Sequence, residues 1–138
     1  MDGSDTKINL AIELHDSIFR ADTGWENKLA QYKIDAIFTP AIMKFSGKYI
    51  PLIEQLANSD EWVLVSRESS GLLFIRNSAS THEELDKRQI WEQMVVEAQR
   101  EIKDYPTHPD SWRSLAMAHY AMGDTAQSEQ AAQQFKRL

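Results

Sequence analysis

The side chains in this sequence with the makings of chemistry are four histidines, several acidic clusters, a Ser-Ser-Gly and two arginines near it. His15, His82, His108 and His119 could hold a metal only if two of them stood at ligand spacing. None does, and no His-Glu-x-x-His occurs, so neither a metal nor a cofactor is expected. His15 and His119 read as core-edge side chains with satisfied nitrogens, and His82 and His108, beside helix starts, as solvated. Glu83, Glu84 and Asp86 cluster at a predicted helix N-terminus, where unpaired backbone amides favour negative charge. That structural role outweighs paired acid/base work, which needs a cleft. Ser69-Ser70-Gly71 lacks the Gly-x-Ser-x-Gly of a nucleophile elbow and reads as a turn. No two of the five glycines have phosphate-cradle spacing. Arg67 and Arg76 would flank the hairpin around that turn; they could grip one anion together, although a solvated pair is the plainer reading. No catalytic residue is assigned.

Charge narrows the partners. The formal charge is −6 and no run of Lys or Arg occurs, which removes the electrostatic footprint for nucleic acid or an anionic membrane. The absence of cysteine rules out disulfides and thiolate sites but leaves the compartment open. No apolar run is long enough to cross a bilayer, and residues 1–5 have neither the basic start nor the apolar core of a signal peptide. A complete chain of this kind is expected in the cytoplasm.

The elements that would position these residues follow from periodicity. Ser4 or Asp5 caps a predicted helix with Ile8, Ala11, Ile12, His15 and Phe19 on one stripe. Thr23 and Glu26 have capping-box spacing before a short helix carrying Trp25, Leu29 and Tyr32. The run from Ile34 to Thr39, stopped by Pro40, suits a buried strand. A loop from Pro40 to Lys48 contains Ile42, Met43 and Phe45, which either tuck beneath it or form an exposed patch; tucking is the expected outcome. A helix from Lys48 to Asn58 turns Leu52, Ile53 and Leu56 inward, with Pro51 in its first turn. Two β-rich runs, 61–67 and 72–76, flank Glu68 to Gly71 as a hairpin. A strand, crossover helix and strand would be parallel, with the hairpin adding an antiparallel strand. The fold class is therefore α+β, built on a small three-stranded mixed sheet with flanking helices.

Residues 77–81 form a polar linker, which divides a small α/β domain (1–77) from a helical segment (78–138). Thr81 and Glu84 form a second capping box, opening a long helix with Ile90, Trp91, Met94, Val95, Ala98 and Ile102 in one stripe. Trp112, Leu115, Ala116, His119 and Tyr120 then share a face, Gly123-Asp124 interrupts, and Ser128, Ala131, Ala132 and Phe135 resume. The spacing of Trp112, Leu115, Ala116, Gly123 and Ser128, after Pro106, resembles a tetratricopeptide repeat, with His119 where that motif has Tyr and Ala132 where it has Phe. The resemblance implies a three-helix array that leans on the first half or on another chain and serves for binding. All four tryptophans are expected to pack in the core rather than to form a sugar-stacking platform.

Gly24-Trp25-Glu26, Leu29, Tyr32 and Ile34-Asp35-Ala36, followed by Leu56, Trp62, Leu64-Val65 and Gly71 to Arg76, make a second resemblance. They are similar to the soluble C-terminal tail of bacterial multi-pass membrane proteins related to lipid-linked-sugar glycosyltransferases, and Asp2-Gly3 resembles the start of that module. The resemblance implies a non-catalytic tail on the extracytoplasmic (periplasmic) face, tied to the membrane only through a part not in this sequence, with Met1 not the native start. Its partner would be another protein or its own membrane part, through Ile42, Met43, Phe45, Arg113 and His119. The competing expectation is a small ligand-binding or enzymatic domain with its site near Thr39 to Gly47, in a pocket lined by Asp35, Lys44 or His15.

Overall fold

The hairpin predicted around Ser69-Ser70 forms, and the sheet is completed on its return strand. In the computed structural model, which describes residues 17–79 and 83–138, β2 (Trp62–Glu68) and β3 (Gly71–Arg76) pair antiparallel, with Glu68 opposite Gly71. β1 (Ala36–Thr39) joins the other edge of β3, also antiparallel, from Ala36 opposite Ile75 to Thr39 opposite Leu72. The order is β1-β3-β2. The α+β class holds, but the expected mixed sheet is corrected to an antiparallel one. β1 and β2 do point the same way, as a strand-helix-strand crossover requires; they do not pair because β3 lies between them. The reason is hydrophobic: β3, with Leu72, Leu73, Phe74 and Ile75 in succession, has the most to gain from the central position. Ile37, Phe74 and Leu64 form one row across the buried face.

Local sequence explains where the helices start. α1 (Trp25–Gln31) begins after Gly24, whose φ of 89° serves as a left-handed entry, and no side chain caps it. The Thr23–Glu26 box is thus not formed, because Gly24 takes the cap position and sets Thr23 one residue too early. Trp25 and Leu29 are buried. α2 (Pro51–Ala57) opens with Pro51 and buries Leu52, Ile53 and Leu56 completely. α3 (Arg88–Asp104) starts later than the sequence suggests. Before it, the Leu85 amide donates to the Leu64 carbonyl at 2.8 Å, and the Asp86 carboxylate accepts from the Arg88 amide at 2.9 Å. Satisfying the open edge of β2 outweighs an earlier helix start, so Glu83 and Glu84 precede the helix rather than line its first turn. The predicted first-helix residues up to His15, and Thr81 with His82, lie outside the described residues.

α4 (Pro109–Ala121) and α5 (Thr125–Arg137) form the expected helix pair, joined by a turn with Gly123 at φ 79°. The Ser128 hydroxyl donates to the Ala116 carbonyl at 2.9 Å, a close approach that these small residues permit. The buried face of α4 is rotated from the predicted one. Ser111, Ser114, Leu115, Ala118 and His119 are buried, whereas Tyr120 is 76% exposed. The rotation arises because α4 packs on α3 and α5 together and turns its serines toward residue 47. Ile90, Met94 and Ala98 of α3 are wholly buried, and one apolar cluster runs from Leu64, Leu72 and Phe74 through them to Leu115, Ala118 and Ala131. Trp25 and Trp62 lie in this cluster, with Trp91 and Trp112 packed against it.

Candidate functional site

The chain between β1 and α2 folds back on itself as a narrow finger. The Met43 amide donates to the Lys48 carbonyl at 2.8 Å, that of Ile50 to Ala41 at 3.0 Å, and that of Gly47 to Met43 at 2.9 Å. Ile42 and Tyr49 face each other as a single bridge. The tip is conformationally costly at Phe45, which has φ 71°, whereas Gly47 takes φ 77° freely. Ile42 is tucked, at 3% exposure, but Met43 (39%) and Phe45 (66%) are not. The tucked expectation is corrected for these two: the finger has one side against the helices, and Ile42 takes it.

Two helices hold the finger. The Glu97 carboxylate on α3 accepts hydrogen bonds from the Ala41 amide (3.1 Å to each oxygen), the Ile42 amide (3.3 Å) and the Gln93 side chain (3.0 Å). One turn later, Glu101 accepts from the Phe45 amide at 3.2 Å. On α4 the Ser114 hydroxyl donates to the Gly47 carbonyl. Burial pushes the Glu97 carboxyl above its ordinary value, opposed by the bonds from Ala41, Gln93 and Ile42 and by the Arg100 charge. Gln93 in turn accepts from Arg67 at 2.9 Å, and Arg67 reaches Glu92 at 3.1 Å. A relay therefore runs from β2 through α3 to the finger.

Beside the finger lies a cleft of about 600 Å³. It is lined by the apolar Phe19, Ile42, Met43 and Ile50, by the charged Lys44, Glu97, Arg100 and Glu101, and by Ser69 and Ser70 of the hairpin turn. The Arg100 guanidinium donates to the Ser69 carbonyl at 2.8 Å. Of the residues expected to line a pocket near Thr39 to Gly47, Lys44 does so. Asp35 does not: it pairs with Arg76 at 3.1 Å, at the opposite end of β1. His15 lies outside the described residues. Arg67 and Arg76 do not converge on an anion, because the register sets them at opposite ends of the hairpin; Arg76 also stacks on Trp62, 4.7 Å from its centroid.

Phe45 stands edge-on to Tyr105, with ring centroids 6.2 Å apart, and Tyr105 stacks on His108 at 5.0 Å and 8°. His108 is thus half-buried in an aromatic stack rather than merely solvated. The residues expected to bind a partner do not form one surface. Ile42, Met43 and Phe45 share the finger, Arg113 is exposed on α4, and His119 is buried. His119 Nδ1 lies 3.6 Å from an Asp124 oxygen and makes no hydrogen bond among the described residues, so the expectation of satisfied nitrogens is corrected. Its position near the turn at Gly123 leaves Nδ1 with an acceptor slightly out of reach.

Sequence reasoning missed Glu97 and Tyr105. The signal for Glu97 was present, since it stands among Ile90, Met94 and Ala98 on the apolar stripe, where a carboxylate needs donors. Tyr105 carried no periodic signal, lying between two helices. Among the described residues no group of three His, Asp or Glu could hold a metal ion, and no helix is long and apolar enough to cross a membrane. Comparison of the chain with protein-family models, curated proteins and solved structures finds no match.

Proposed function

We propose that this chain is a non-catalytic docking module, the extracytoplasmic tail of a membrane glycosyltransferase-like protein, which holds a protein partner or its own membrane part on the finger face. The observation that carries the reading is Phe45. Its backbone is in the left-handed region, which costs a β-carbon residue roughly 1–2 kcal/mol, and its ring is 66% exposed, so burial within this chain recovers little of that cost. A strained, exposed phenylalanine next to Met43 and Tyr105 supports a surface completed by something else. The test is photo-crosslinking from position 45 in the intact parent protein. A specific adduct that disappears with Met43→Ala is expected; a silent position 45, with a deletion of the tail that has no effect, would reject the reading. The parent assignment has its own test, since several hydrophobic spans should precede Asp2 in the reading frame.

A second reading is favoured by the cleft. A cleft that combines Phe19, Ile42, Met43 and Ile50 with Glu97, Arg100 and Lys44 is suited to a small amphipathic ligand, and it includes Pro40, just past the carboxyl end of β1. Protein-observed NMR with a fragment library separates the two readings. Fragments that shift Ile42 and Ile50 but leave crosslinking from Phe45 intact would support a small-molecule site.

A further inference from the structure

We infer that β1 pairs edge to edge with β1 of a second copy of this chain, antiparallel about a two-fold axis at Ile37, so that the two sheets become one. The Arg76 amide donates to the Asp35 carbonyl at 2.8 Å, and along an antiparallel strand the residues bonded to a given neighbour alternate with those that face the other way. Asp35, Ile37 and Thr39 therefore turn their backbone groups to β3, and Ala36 and Phe38 turn theirs outward. Among the described residues, no hydrogen bond reaches the backbone of either. The two edges of the sheet differ in this. The Leu64 carbonyl of β2 is taken up by the Leu85 amide at 2.8 Å, whereas β1 is open, and its residues 36–39 include no charge, proline or bulge to deter pairing.

The edge fits itself. With Ile37 opposite Ile37 of the second copy, Ala36 stands opposite Phe38 and Phe38 opposite Ala36, and each pair exchanges its N–H and C=O groups, so every open group of the edge is used. The ladder ends there for reasons within the chain. The next residues to face outward are Ile34 and Pro40, but the Ile34 amide already donates to the Leu29 carbonyl at 2.9 Å, and Pro40 has no N–H. Side chains match as well. Ala36 and the 50% exposed Phe38 share one face of the sheet, so pairing lays each ring over a small alanine, with the other ring at the diagonal and within its reach. Asp35 falls opposite Thr39, and the two Asp35 side chains stand about 14 Å apart along the strands, beyond the screening length at physiological salt. A foreign extended peptide would use the same backbone groups; the match of large to small residue in both directions is what selects a second copy. The inference is independent of the finger and of the cleft.

The experiment is sedimentation velocity of the full-length chain from about 5 to about 500 μM, with amide hydrogen exchange followed by NMR at both ends of that range. A strand of 4 residues buries little surface, so the dimer is expected to be weak, with Kd on the order of 100 μM. The Ala36 and Phe38 amides should exchange several-fold more slowly at the high end, while that of Ile37, bonded to β3, is protected at both. Ala36→Pro removes only an N–H that points away from β3, and Phe38→Lys sets a charge on each side of the axis. Each should weaken the dimer about tenfold or more, and protection of the Ile37 amide at low concentration reports that β1 still lies on β3. Phe45→Gly should leave the association unchanged, which separates this result from one at the finger. A monomer at every concentration, or a dimer indifferent to both edge substitutions, would overturn the proposal. So would slow exchange of Ala36 and Phe38 at the low end, which would mean that another part of the chain covers the edge.

Discussion

Ser111 of α4 occupies the space that a side chain at position 47 would need. A β-carbon built on Gly47 would stand 2.8 Å from both Cα and Cβ of Ser111, and Gly47 is itself at φ 77°. The finger thus reaches α4 at backbone distance. Gly47→Ala should cost about 2–5 kcal/mol, combining left-handed strain with overpacking. Gly123 is the internal control, because its φ of 79° is similar and a β-carbon there would meet nothing within 4 Å. Gly123→Ala should cost only about 1 kcal/mol. Urea denaturation of both variants measures the difference, and equal losses would show that the finger yields freely.

Glu97 makes stability depend on pH in an unusual direction. Burial, the largest influence, raises its carboxyl value in the folded chain, so the folded state binds more protons than the unfolded state between the two values. Stability from this residue is therefore full below the ordinary glutamate range and declines as pH rises through the raised folded value. Glu97→Gln removes the titration. The stability of the unsubstituted chain minus that of Glu97→Gln, from denaturation at several pH values, should fall as pH rises through that window; parallel profiles would contradict it. Glu97→Ala leaves the Ala41 and Ile42 amides without their acceptor and should cost about 2–4 kcal/mol at low pH, and less as pH rises through the same window.

Phe45→Gly should leave stability between about 0.5 kcal/mol lower and about 1.5 kcal/mol higher than that of the unsubstituted chain. Relief of left-handed strain is set against the loss of one edge-on contact with Tyr105, worth about 0.5–1.5 kcal/mol. Thermal unfolding gives the sign. A loss above about 2 kcal/mol would mean that the ring is structural and would remove the main support for a docking role.

The helical segment alone, residues 83–138, should lose helicity in circular dichroism relative to its share of the full chain. Ile90, Met94 and Ala98 are covered within a cluster that includes Leu64, Leu72 and Phe74, and excision would expose that stripe. Retention of a cooperative melt by the excised segment would show that α3 to α5 form a self-sufficient unit.

What could be seen in the sequence was whatever periodicity encodes. The hairpin around Ser69-Ser70, the inward face of α2, the stripe of α3 and the turn at Gly123 all follow from spacing and turn chemistry. Which strand takes the centre does not, because neighbouring pairings satisfy the same alternation and only total burial decides between them. Capping was misread for a related reason: Thr23 has the right spacing, but Gly24 takes the cap position, and the start of α3 at Arg88, after the Leu85 to Leu64 hydrogen bond, depends on tertiary context. At the candidate site, Ile42, Met43 and Phe45 stood out as apolar residues in a loop. That Glu97 would hold them could not be read locally, since donor and acceptor lie on elements far apart in sequence.

The central position of β3 also orders events in time. Among the described strands β1 is made first, yet the strand it pairs with is made last, with Ala36 waiting for Ile75. The β2–β3 ribbon can zip as soon as its turn exists, whereas capture of β1 closes a long loop and comes at a greater entropic cost. Refolding should therefore be limited by arrival of β1, and a newborn chain carries an unpaired Phe38 until Leu73 has left the ribosome.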